Sequence, residues 1–208
     1  MLSSYYMYQR AWQDLPQGFI LCSLLVVIFC EVFASYIQLD ALVLLWGLRI
    51  CESILLYLLV LHFDVREALG ITLPTSKDWQ LFFWVSAIVL LAGLVLLAVF
   101  SGLNIWLTLP SFAQGFAGII LMLLLAPIVE ELFFRGIVYR LLRETFGIWS
   151  AIVLSAMCFA YMHGALLSPQ LIGGLIFASA YEYTRNLWIP ILLHVAGNSL
   201  IILLTWLW

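Results

Sequence analysis

A chain of 208 residues that is 66% hydrophobic and only 9% charged lies far from the roughly half-apolar, quarter-charged make-up of soluble domains, which excludes a water-soluble globular protein. At about 20 residues per crossing there is room for some six to eight helices and little else, so a single membrane domain over residues 1–208 is expected. A net charge of −3 without any basic run argues against a nucleic-acid partner.

Residues 1–16 carry Tyr5, Tyr6, Tyr8 and Trp12 with Arg10 as their single cation, and they read as an interfacial aromatic stretch leading into an uncleaved first span. Apolar runs long enough to cross follow at about 17–38, 41–62, 79–101, 115–142, 149–167, 169–185 and 187–208, with Asp, Pro, Lys and Gly between them. The fold class predicted is all-α, a polytopic transmembrane helical bundle of about seven spans. Cations test that count, because loops on the cytoplasmic side are enriched in Lys and Arg. Arg10, then Arg66 and Lys77, then Arg140 and Arg143, then Arg185 fall in alternate intervals, which puts the N-terminus in the cytoplasm and the C-terminus outside.

Two arginines lie within spans, each with a carboxylate at helical spacing: Arg49 with Glu52, and Arg135 with Glu131. With Glu31 of span one as a further partner, Arg49 and Glu52 are expected to form a structural ion pair between helices. Glu182 and Arg185 at the inner end of span six need only snorkel to the interface. Cys22, Cys30, Cys51 and Cys158 all fall in apolar runs outside any C-x-x-C pair and read as small buried hydrophobes. Inverted halves of a transporter would repeat interrupted segments in both halves, whereas here the polar intramembrane groups concentrate in residues 130–198. Residues 1–114 therefore read as a scaffold of three spans and 115–208 as a core of four.

The core holds Glu130, Glu131 and Arg135 in span four, Phe159 and His163 in span five, Gly173 and Gly174 in span six, and His194 and Asn198 in span seven. Ionisable groups at membrane depth are costly enough to suggest function. The turn between spans four and five centres near Thr145 to Gly147, so Glu130 and His163 are about equally far from it, and in an antiparallel hairpin they stand level. His194 lies on the order of 10 Å into the membrane, near the same depth. Asn198, four residues on, shares its helix face. Pro127 removes a backbone hydrogen bond next to the glutamates, a defect tolerated where a cavity or neighbour satisfies the freed carbonyl. A carboxylate, two imidazoles and an amide around a cavity suit peptide hydrolysis, with Glu130 as base, His163 orienting water, and His194 with Asn198 donating to an oxyanion. Glu131 and Arg135 read as a supporting pair. Spacing alone leaves a proton or cation pathway equally open. The chain has no H-E-x-x-H or G-x-S-x-G, and none of its four aspartates lies within a span, which sets aside those zinc, serine and aspartyl chemistries.

Glu130-Glu131-x-x-x-Arg135, Phe159-x-x-x-His163 and His194-x-x-x-Asn198, in this order and each on its own span, resemble the three-motif signature of the CPBP (CAAX protease and bacteriocin-processing, or Abi) intramembrane proteases, which include the Ras-converting CAAX prenyl endopeptidases. The resemblance covers roughly residues 115–208. It implies an endopeptidase in which Glu130 and His163 activate water, His194 and Asn198 form the oxyanion site, and Phe159 packs beside it. The substrate implied is a membrane-anchored protein or peptide in the lipid bilayer, and the location a bacterial plasma membrane. No cofactor is the favoured expectation; zinc on Glu130, His163 and His194 is the alternative. Two readings of other classes compete: a peptide-binding or immunity protein without catalysis, and a proton-coupled carrier.

Overall fold

The computed structural model describes residues 12–100, 115–164 and 168–207. Among these the chain forms seven helices: α1 Gln17–Ser35, α2 Ala41–His62, α3 Ser76–Phe100, α4 Phe116–Phe146, α5 Ile148–Met162, α6 Pro169–Thr184 and α7 Trp188–Leu207. They follow the predicted runs closely. Asp40 caps α2 by accepting from the amides of Leu42 and Val43, as an N-cap carboxylate should. Gly147, with φ of 79°, makes the tight α4–α5 turn in a conformation that glycine adopts without strain. Pro169 starts α6 at a position where its missing N–H is no loss.

Five helices, α1 to α4 and α7, are long and apolar enough to cross a membrane. Their outward faces carry large apolar side chains such as Leu25, Phe29, Trp84 and Leu91, a surface suited to lipid and not to water. α5 and α6 have 15 and 16 residues, or about 22–24 Å, less than a hydrocarbon core of about 30 Å. Span five was expected to run to residue 167. It stops at Met162 instead, because His163 takes the C-cap and Gly164 follows at φ of 92°.

Four segments that the cation pattern assigns to one side do meet at one end of the bundle. The buried Arg140 of α4 donates to the carbonyls of Gln13 and Ala68. The Leu187 amide donates to the Gly70 carbonyl and the Tyr181 hydroxyl to the Leu69 carbonyl. Gly70 is required there: a Cβ on it would fall 2.2 Å from the Arg185 carbonyl oxygen. Trp12 lies under the guanidinium groups of Arg140, Arg143 and Arg185. Glu182 pairs with Arg143 at 2.8 Å and accepts from Tyr139, so it has interhelical partners beyond the expected snorkelling. An apolar cluster of Phe19, Leu56, Leu69, Ile137, Tyr181 and Leu187 backs this end. A second, around Phe134, Phe159, Phe177 and Leu193, supports the middle of the bundle. The four cysteines are free, but only Cys30 is buried as expected; Cys51 and Cys158 are exposed on the apolar surface, where a thiol faces lipid as readily as it packs in a core.

Candidate active site

α4 is not a uniform helix. Residues Leu121–Leu125 and Leu132–Tyr139 are wound as π-helix, and the stretch Ala126–Glu131 between them is α-helical. Such widened turns cluster at functional sites. In the first of them the Ala126 amide donates to the Leu121 carbonyl five residues back. By the same register the next amide would serve Met122, but the next residue is Pro127 and has no N–H. The orphaned Met122 carbonyl accepts instead from Asn198 Nδ2 at 2.8 Å. Asn198 thus fills the place left by the proline, with one amide hydrogen in use and the other available.

The two glutamates diverge. Glu131 is fully buried: Oε1 accepts from Arg135 Nη1 at 2.9 Å and lies 2.9 Å from His194 Nδ1. Arg135, also fully buried, donates from Nη2 to the Gly174 carbonyl at 3.0 Å, and its guanidinium sits over Phe159 at 4.7 Å and Phe177 at 5.3 Å. Gly174 makes that bond possible, since a Cβ there would meet the Ala156 backbone at 2.9 Å and hold α5 and α6 apart. Gly173 meets only the Phe177 ring of its own helix. Glu130 turns the other way. Its Oε2 lies 3.6 Å from His163 Nε2 and 3.9 Å from His194 Nε2, and Oε1 lies 4.0 Å from Arg49 Nη2.

The partners fix the imidazole tautomers. His163 Nδ1 is 2.8 Å from the Phe159 carbonyl oxygen, which only accepts, so Nδ1 carries the proton. His194 Nδ1 faces Glu131 Oε1, which already accepts from Arg135, and carries its proton for the same reason. With Nδ1 engaged in this way, the neutral form of each ring has its Nε2 lone pair towards Glu130. These separations exceed a direct hydrogen bond, and three acceptors around one gap attract a proton-bearing or cationic guest. Phe159 lies edge-on to His194 and close to His163, and Phe177 stacks on His194 with rings 19° apart, so packing fixes both imidazole planes. His163 is the open side of the site, its side chain 31% exposed at the α5–α6 turn, against 7% for His194.

Zinc would use Glu130 Oε2 and the two Nε2 atoms. The donor types suit it, but neighbouring ligands of a tetrahedral zinc stand about 3.3 Å apart, closer than the distances here. Among the described residues no group of three or more His, Cys, Asp or Glu is arranged to hold a metal ion. A lipid-facing groove of about 510 Å³ between α3 and α6, lined by residues such as Leu81, Val85, Ile88 and Tyr183, includes none of the site residues.

Sequence reasoning missed four participants. They are the Met122 carbonyl, the Gly174 carbonyl, the Phe177 ring and the approach of Arg49 to Glu130. The first was legible in principle, five residues before Pro127; the others depend on how helices rotate against each other.

An all-helical, integral multi-pass membrane protein with a carboxylate–imidazole cluster buried between its helices is the class that fold and site define. Residues 112–200 match the family described as type II CAAX prenyl endopeptidase Rce1-like. Over 88 residues the chain is 31% identical to a Bacillus subtilis (strain 168) protein provisionally named membrane peptidase YdiL, an alignment covering 41% of this chain and 36% of that protein. The chain thus spans about a third of the length of the curated relative it matches. No solved structure matches. Both likenesses lie in the second half of the chain, the part that carries the carboxylate–imidazole cluster.

Proposed function

We propose that this protein is an intramembrane endopeptidase of glutamate type, hydrolysing a peptide bond of a membrane-anchored protein or peptide. The observation that carries the reading is the convergence of Glu130 Oε2 with two tautomer-fixed Nε2 atoms at 3.6 and 3.9 Å. A water molecule fits the electrostatics of that gap, donating one hydrogen to Glu130 and one to His163. Its lone pair then points to a substrate carbonyl entering from the exposed His163 side. As the water oxygen bonds to the carbonyl carbon, Glu130 takes the proton. It returns that proton to the departing amine when the C–N bond breaks, leaving a new carboxylic acid, which ionises to solvent, and a new amine.

The oxyanion formed in between needs donors. Asn198 has its second amide hydrogen for this. His194, with its Nδ1 proton directed at Glu131, donates from Nε2 once the proton taken from water has passed to it from Glu130, 3.9 Å away; the Glu131 carboxylate at 2.9 Å stabilises that imidazolium, as a buried carboxylate does for the histidine of a catalytic triad, and the proton goes back through Glu130 to the amine. Glu131, Arg135 and Phe159 are supporting residues in this scheme. The family match and the named peptidase relative favour peptide hydrolysis over a proton-coupled carrier, and a bacterial plasma membrane is the proposed location.

The test is cleavage of membrane-anchored reporter peptides by purified protein, with and without a chelator. Wild type should cleave, and Glu130→Gln and His163→Ala should lose about 10²–10⁴-fold. If all three are equally inert while a cellular phenotype persists, the protein sequesters peptides and does not cut them. Chelator-sensitive turnover with stoichiometric zinc would replace the metal-free mechanism.

A further inference from the structure

Glu130 has a third neighbour besides the two histidines, and it comes from the half of the chain outside the family match. Arg49 of α2 is largely buried, with its side chain 17% exposed. Its Nη1 donates to Glu31 of α1 at 3.1 Å and to Glu52 at 2.5 Å. The ion pair expected between spans one and two is therefore present. Holding Nη1 in that way turns Nη2 towards α4, where it lies 4.0 Å from Glu130 Oε1. The α2 helix packs directly on the Ala126–Glu131 stretch of α4, so no intervening element separates them.

The two oxygens of Glu130 thus have distinct surroundings. Oε2 faces His163 of α5 and His194 of α7, while Oε1 faces a guanidinium that two other carboxylates hold in place. We infer that Arg49 is a positioning residue for Glu130: anchored by Glu31 and Glu52, it fixes the carboxylate so that Oε2 points into the gap between the imidazoles, and it balances the charge of the base. This rests on the hydrolytic reading of Glu130. It also gives the first two spans a task at the site that a passive scaffold would lack. An arginine that served only to join α1 and α2 would be equally well placed with both Nη atoms on Glu31 and Glu52.

The experiment compares Arg49→Gln, Arg49→Lys and Glu130→Gln in the full-length protein, reading kcat and KM on a cleaved reporter and thermal midpoints in detergent. Arg49→Gln should lower kcat roughly tenfold or more with KM little changed, the sign of a misplaced catalytic group and not of lost binding. Arg49→Lys, which keeps the charge, should recover part of that rate. The midpoint losses of Arg49→Gln and Glu130→Gln should be non-additive in the double variant, since the two groups interact. Wild-type kcat in Arg49→Gln beside an inert Glu130→Gln overturns the inference and leaves the hydrolytic reading standing. So do additive midpoint losses with no rescue by lysine, which would make Arg49 a purely structural residue. Full activity in Glu130→Gln overturns the hydrolytic reading itself, and the inference with it.

Discussion

Glu130 and Glu131 are neighbours in sequence but about 100° apart around a helix, and this rotation gives them different chemistry. Glu131 is sealed against Arg135 and His194, while Glu130 is directed at two bare imidazole nitrogens and Arg49. Their removal should therefore have different consequences. Glu131→Ala leaves Arg135 buried without its carboxylate and should cost about 3–5 kcal/mol of stability. Glu130→Gln, at a partly open site, should stay within about 1 kcal/mol of wild type while losing activity. Denaturation in detergent measures both. The spacing of Glu131 and Arg135 was enough to read their pairing in the sequence, because four residues on one helix meet whatever surrounds them. Which glutamate faces the gap was not legible, nor was the bond from His194 to Glu131. Both depend on how α4 and α7 are rotated, which neighbouring helices set.

At the scale of elements, Pro127 and Asn198 form a pair separated by 71 positions in the chain and joined through one carbonyl. The proline removes an amide from a π-wound turn, and the asparagine on α7 supplies another N–H to Met122. Asn198→Ala should then cost about 1–2 kcal/mol through the unsatisfied carbonyl, in addition to its effect on rate. In a Pro127→Ala background, where the backbone amide returns, that stability cost should shrink. A thermal double-mutant cycle measures the difference, and an unchanged cost would separate the two residues. A helix defect at Pro127 was readable from residue chemistry. The π-turns were not, since nothing in an apolar run distinguishes a bond to the fourth residue back from one to the fifth.

For the whole molecule, periodic apolar runs and the alternation of cations predicted seven helices and their order, and hydrophobic burial in lipid makes both strong signals. The shortness of α5 was only hinted at by Gly164 and Pro169, and it matters because it ends the helix at His163 and exposes that ring. The bundled end formed by Trp12, Ala68, Gly70, Arg140 and Leu187 fits a cytoplasmic face. In a cysteine-free background, Thr145→Cys beside the α4–α5 turn should react with an impermeant thiol reagent only from the cytoplasmic side, and a C-terminal tag should be reached only from outside. A tag accessible from the cytoplasm would break the seven-helix topology.

The most direct measurement of the central claim is hydrolysis of a membrane-anchored peptide in oxygen-18 water, with products weighed by mass spectrometry after a single turnover. Wild type should place one oxygen-18 atom in the new C-terminal carboxylate, and Glu130→Gln should lower the yield of that product by about a hundredfold or more. Labelled product formed equally well by Glu130→Gln would contradict Glu130 as the base that activates water.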